Sequence, residues 1–222
     1  MYLVKKVTEY EFEDFLAFPA RIHEKKHLMQ KQSDEIALLK GTHTLSKYFS
    51  FTAFLCYYEN RVVARCAVTI YHDKKEEAYL GFFDSENNIE AVKVMTAAAE
   101  QFARKKGIKK LTGPVDASFW LGYRMKSDKF DEARFFSEPY GMEYYPKLWK
   151  DAGFDIAEVY VSNIYKKLTK KEADDEKYVK RYNYFIKNGY RIVSAEKKAW
   201  DILSTSNTEQ ISVSNSFRLF IL

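Results

Sequence analysis

Only a few residues of this chain combine a reactive type with a useful spacing. His23-Glu24-Lys25-Lys26-His27 satisfies H-E-x-x-H, the helical pattern in which two imidazoles one turn apart hold zinc while the glutamate activates water. A zinc hydrolase built on His23, Glu24 and His27 is therefore one reading. Its flanks argue against it: Pro19 precedes the motif, Gln30 and Lys31 follow, and Lys25 and Lys26 sit inside it. A third ligand would have to come from His43, His72 or a carboxylate, and no downstream signature marks one. Cys56 and Cys66 lie in apolar runs without a C-x-x-C pair, which reads as two buried, reduced thiols and no disulfide. The sequence has no G-x-S-x-G elbow, P-loop or G-x-G-x-x-G run, so nucleophilic catalysis and nucleotide chemistry have no anchor. Asp116, Ser118 and Trp120 follow Gly113-Pro114 at the carboxyl end of an expected strand, where open α/β sheets place their ligands. The plain alternative is that Asp116 and Ser118 cap the next turn.

Several elements must position these groups. YLVKKV at residues 2–7 reads as a strand, and Thr8 caps a helix carrying Phe12, Phe15, Leu16 and Phe18 ahead of Pro19. A short helix over Asp34 to Lys40 ends at Gly41. FTAFLCYY, the polar turn Glu59-Asn60-Arg61 and VVARCAVTI form a hairpin. Its first strand is apolar on both faces, so helices must cover both sides of the sheet. AYLGFFD is a third strand, and Ser85 or Asn87 caps a helix with the stripe Val92, Met95, Ala99 and Phe102, closed by Gly107. The strand IKKLTGPV follows, which makes a right-handed parallel crossover and a mixed sheet. Residues 116–143 are irregular and aromatic-rich, YYPKLWKDAGF is a short helix, and DIAEVYVSNIY is a last strand. From Lys166 a charged helix runs to Gly189, with Tyr178, Tyr182, Phe185 and Ile186 on one face.

Composition removes other classes. The chain has 222 residues, 36 of them basic and 31 acidic, for a net charge of +5; signs this balanced describe a mixed solvated surface, not a nucleic-acid face. Two basic runs, Arg104 to Lys110 and Lys166 to Lys171, belong to that surface. No stretch reaches the length that spans a bilayer, and the start lacks the apolar core of a secretory signal. Cytoplasmic residence, without nucleic-acid or membrane partners, is the expectation.

Over about residues 1–165 this order of elements is similar to the acyltransferase fold of the GNAT superfamily. ENRVVARCAVTI resembles its second hairpin strand, and YLGFFDSENNIEAVKVMTAAAEQFARKKGIKKLTGPV resembles its core strand, cofactor-facing turn, helix and next strand. YYPKLWKDAGFDIAEVYV resembles its late helix ending in Gly-Phe. Closer still is the resemblance to a poorly characterised bacterial GNAT-like group. Its marks appear here as Phe18, Pro19 and Ile22, then Phe82, Phe83 and Asn88, then Gly113 and Pro114, then Tyr144 and Tyr145.

The resemblance implies an acyl-CoA N-acyltransferase-like α/β (α+β) fold, with a mixed, mostly antiparallel central sheet covered by helices on both faces. It also implies transfer of an acyl group from acetyl-CoA or another acyl-CoA, used as a cosubstrate and not tightly bound, to a small-molecule or peptide amine. In that reading Phe82, Phe83, Asp84, Asn87, Asn88, Ile89 and Ala91 meet the donor, because amides at a helix N-terminus favour a pyrophosphate. Ser118 and Trp120 shape the acceptor side, and Asp116 orients or deprotonates the amine. Tyr144 or Tyr145 supplies the proton that the family takes from a tyrosine at the position of Trp149; the alternative is aromatic packing with a wet hydroxyl. The turn Asp84 to Ile89 lacks the family's basic, glycine-rich run, and Asp84 and Glu86 repel a phosphate unless both turn away. These departures support a second reading, a non-catalytic module that binds a ligand or partner. Residues 166–222 then form a helical extension, like a truncated second half, whose apolar stripe seeks a subunit partner such as a second copy or folds back on the first domain.

Overall fold

The computed structural model describes residues 1–132, 138–162 and 175–190. The chain divides into two compact units, Met1–Ile156 and Ala157–Leu222. The first is built on a five-stranded sheet in the order β1 (Tyr2–Lys6), β2 (Phe49–Tyr58), β3 (Arg61–Tyr71), β4 (Glu77–Ser85) and β5 (Lys110–Thr112). The first three pairings are antiparallel and β4 pairs β5 in parallel. This is the mixed, mostly antiparallel sheet expected from the element order.

Local chemistry accounts for most of these boundaries. Glu59 and Asn60 between β2 and β3 both have positive φ, 49° and 66°, the two-residue reversal whose twist suits a hairpin. Thr8 and Glu11 form a capping box that starts the first helical segment. It continues as α1 (Phe12–Ala17) and α2 (Pro19–Ile22), with Pro19 at a first-turn position where its missing N–H costs nothing. The chain therefore stays helical through Pro19 instead of stopping before it. A loop leads to α3 (Gln32–Leu39), and Gly41 turns with φ 69°. The cap of α4 (Ile89–Lys105) is neither Ser85 nor Asn87: the Oδ1 of Asn88 accepts from the Ala91 N–H at 3.1 Å. Ser85 is still strand, so only Asn88 stands within reach of the first-turn amides.

The sheet is covered on both faces. On one side Phe54, Cys56, Val68 and Leu80 pack against Val92, Met95 and Ala99 of α4 and against α5 (Tyr145–Asp151). On the other, Ala53, Leu55 and Ala67 pack against Phe15 and Phe18 from α1 and its end. Phe15 and Phe18 are fully buried, each stabilising the unit by about 1.5–3 kcal/mol. Both cysteines are free and buried, and burial pushes the Cys56 thiol up to about 11. Among the described residues no helix is long and apolar enough to cross a membrane.

One expectation needs correction. Residues 154–162 form no strand, and Ile156, Val159 and Val161 are exposed; a β-pattern without a pairing edge gains no ladder hydrogen bonds. Residues 163–165 of the expected strand lie outside the described residues. Of the helix expected from Lys166 to Gly189, residues 166–174 lie outside the described residues; in the second unit the described part is α6 (Glu176–Lys187), capped by Asp175. Tyr178, Tyr182 and Ile186 of its stripe are exposed.

Candidate functional site

The site grows from one irregularity. The register between β3 and β4 shifts between Arg65 and Ala67, and Phe82 opposite has φ 49°, the signature of a bulge that re-aims side chains. Beyond it Arg65 and Asp84 face each other across the ladder. The Arg65 Nε donates to Asp84 Oδ2 at 2.8 Å. Its other nitrogens reach Glu35 of α3 at 2.7 and 3.3 Å and the Phe15 carbonyl at 3.0 Å, and the guanidinium lies 4.7 Å from the Phe15 ring. Arg65, Glu35 and Asp84 are all buried. Charges removed from water persist only when paired in this way.

Asp84 is the hub. Its Oδ1 contacts His23 Nε2 at 2.6 Å and accepts the Tyr145 hydroxyl at 3.2 Å. Burial alone would raise its carboxyl; Arg65 and the contact with His23 outweigh burial and hold it below the usual carboxylate range. Tyr145 also accepts the Ser85 N–H at 3.2 Å, and burial followed by the Asp84 charge pushes its hydroxyl far up. Tyr144 is half-buried, donates to the Ser85 carbonyl at 2.9 Å and is pushed by burial up to about 12.

Asp116 approaches β4 from the far side. Its Oδ1 accepts the Phe82 N–H at 2.5 Å, and burial raises its carboxyl to about 6. The segment carrying it runs against β4: the Val115 N–H donates to the Leu80 carbonyl at 2.9 Å. A Cβ on Gly81 would stand 1.9 Å from the Val115 oxygen, and one on Gly113 would stand 2.3 Å from the Leu80 oxygen. These two glycines exist for a close backbone approach. Ser118 is buried and accepts the Trp120 N–H at 3.3 Å, while Trp120 is 87% exposed. Asp116 and Ser118 thus both shape the following turn, and Asp116 reaches β4 as well.

His23, Glu35, Asp84, Asp116, Trp120 and Tyr145 border a cavity of about 850 Å³, whereas Ser118 and Tyr144 are not among its lining residues. Phe82 and Phe83 line it too. Asn87, Asn88, Ile89 and Ala91 stand beyond it, at the start of α4. There Asn88 also exchanges hydrogen bonds with the Tyr2 hydroxyl at 3.1 and 2.8 Å. The two acids of this turn are not free to repel an anion. Asp84 is turned inward onto Arg65, and Glu86 pairs with Arg61 and, at 3.7 Å, with Arg21.

The H-E-x-x-H reading does not survive the geometry. α2 ends at Ile22, and His23 is extended with φ −104° and ψ 140°, so the two imidazoles do not share a helical face. His23 is committed to Asp84, His27 stacks on Tyr140 at 3.9 Å, and exposed Glu24 pairs with Lys26. Trp149, where the resemblance calls for a tyrosine, packs against Phe83 and Phe154. Arg65 and Glu35 were absent from the sequence-derived candidates, although an arginine inside the apolar run VVARCAV signals a buried charge needing partners.

No protein-family model matches the sequence, and no curated protein matches it either. Solved structures do resemble the fold. An aminoglycoside acetyltransferase from an uncultured soil metagenomic sample, in complex with trehalose, is 17% identical with a TM-score of 0.45, covering 76% of this chain and 97% of its own. An aminoglycoside N-acetyltransferase in complex with a bisubstrate analogue is 12% identical with a TM-score of 0.47, covering 76% and 99%. An N-acetyltransferase from Staphylococcus aureus is 13% identical with a TM-score of 0.38, covering 50% and 69%.

Proposed function

We propose that the chain is a GNAT-type N-acyltransferase that moves an acyl group from acyl-CoA to an amine. One juxtaposition carries this reading: near the end of β4, Phe82, Phe83 and Asp84 border a cavity lined by carboxylates, and the strand then leads into the N-terminus of α4. A helix N-terminus favours a pyrophosphate, and with Asp84 and Glu86 turned onto arginines the charge that would oppose one is neutralised. Phe82, Phe83 and the segment Asp84–Ala91 would meet the donor. Asp116, Ser118 and Trp120 would flank the amine, with Asp116 orienting it. Tyr144, the more accessible of the two hydroxyls, would donate a hydrogen bond to the departing sulfur, while Tyr145 holds Asp84 in place.

A second reading, a non-catalytic module that binds a ligand, is favoured by one feature: the β4 edge is already engaged, its Phe82 N–H by Asp116 and its Ser85 N–H by Tyr145. Calorimetric titration with acetyl-CoA and with free coenzyme A separates the readings when followed by a thiol-release assay against a set of primary amines. Saturable binding with turnover supports the acyltransferase. Binding of neither compound to folded protein sinks it, and ligand binding without turnover on any amine moves the assignment to the second reading.

A further inference from the structure

We propose that His23 is the general base of this site and that Asp84 is its positioning partner; the proposal rests on the acyltransferase reading. His23 Nε2 lies 2.6 Å from Asp84 Oδ1. Asp84 is ionised, since its other oxygen receives the Arg65 Nε–H at 2.8 Å in a buried setting. An ionised carboxylate only accepts, so the proton of the neutral ring must sit on Nε2. That fixes the tautomer, and Nδ1 is left as a bare lone pair. Nδ1 is buried and has no hydrogen-bond partner among the described residues, and the His23 side chain, 7% exposed, borders the cavity.

A buried acceptor without a partner is uncommon and calls for a reason. Here the reason is a donor that arrives with the substrate. The Tyr140 ring stands edge-on to His23 at 6.2 Å and stacks on His27, so a ligand that moves Tyr140 brings its own N–H to the lone pair. In the step, the amine nitrogen bonds to the thioester carbonyl carbon and its surplus proton passes to His23 Nδ1. The carbon–sulfur bond breaks, and the sulfur leaves as a thiolate that takes its proton from solvent. Asp84 stabilises the imidazolium that forms, as the carboxylate does in other carboxylate–histidine pairs.

The groups facing the ring are Asp84 from β4, Tyr145 from α5 and Tyr140 from a loop, with His27 stacked on Tyr140 and with Arg65 of β3 and Glu35 of α3 behind Asp84. The test is His23→Gln in the full chain, which keeps a donor for Asp84 and removes the base. Rates are read by thiol release from acetyl-CoA with primary amines spanning amino acids, polyamines and amino sugars. The expected result is a loss of about 10²–10³-fold in kcat with unchanged acetyl-CoA affinity. Histidine-selective ¹⁵N spectra of the wild type provide an independent reading, which should show a protonated Nε2 and an unprotonated Nδ1 at pH 8. A wild type that transfers to amines beside a His23→Gln variant equally fast overturns the base alone, as does an Nδ1–H tautomer in the spectra. A wild type that transfers to no amine overturns the acyltransferase reading and the base with it.

Discussion

Replacing Arg65 by methionine keeps most of the side-chain volume and removes the one cation between two buried carboxylates. Arg65 bonds to Glu35 twice, to Asp84 and to the Phe15 carbonyl. Its loss leaves Glu35 and Asp84 in a site where their side chains are 7% and 9% exposed. Breaking a buried pair from one side costs about 3–5 kcal/mol, because the orphaned charge remains. For a chain of this size that is a fall of roughly 6–20 °C in Tm.

The pH dependence has a definite sign. In the wild type Asp84 lies below its ordinary value, so it contributes stability above the unfolded pKa and loses it as pH falls through the folded one. In Arg65→Met the same carboxyl is buried without a cation, and burial raises it. Its penalty is then full at neutral pH and fades on acidification. The gap between the two proteins should be widest near pH 7 and should narrow towards pH 4. Urea unfolding at pH 5 and pH 7 measures it. The triple variant Arg65→Met, Glu35→Gln, Asp84→Asn, which removes all three charges of this network together, should recover at least half of the loss. A single variant within about 1 kcal/mol of wild type at pH 7, or a gap that does not change with pH, would refute the reasoning.

Other perturbations follow from the same geometry. Asn88→Asp keeps the acceptor for the Ala91 N–H but adds a charge at the α4 N-terminus, so acetyl-CoA should bind about tenfold more weakly by calorimetry, with little change in Tm. Asp116→Asn still accepts the Phe82 N–H; it removes a carboxyl whose folded value, about 6, exceeds the ordinary 3.8. The stability that Asp116 contributes is full below the unfolded value and lost as pH rises through about 6. The variant should therefore gain up to about 3 kcal/mol over wild type at pH 7.5 and almost nothing at pH 4, read by urea unfolding. Gly81→Ala has no room beside the Val115 oxygen and should cost at least about 2 kcal/mol. Gly107→Ala, at φ 83° in open space, should cost only about 1 kcal/mol of backbone strain; equal losses in the two alanine variants would discount the close approach at β4.

What could be read from the sequence divides along the range of the forces involved. The β2–β3 hairpin, the helix start at Thr8 and the α4 stripe are local patterns, and each stands where its residues imply. The charge of the turn after β4 was legible only as a sign. Asp84 and Glu86 read as a barrier to an anion because Arg65 is 19 positions from Asp84 and Arg61 is 25 from Glu86; only the bulged register brings these pairs together. The same register explains His23. As a five-residue pattern it offered zinc only as an alternative that its flanks opposed, and the fold agrees with the flanks: a helix that ends at Ile22 removes the second imidazole from its face, and Asp84 claims the first. An arginine within VVARCAV was the one sequence-level sign of this centre. A guanidinium in a central strand must find carboxylates or leave the core, and the carboxylates that answer it come from α3 and from the far side of the β4 bulge. One of them is the carboxylate that holds His23, so the requirement that buries Arg65 also builds the pair to which we assign the chemistry.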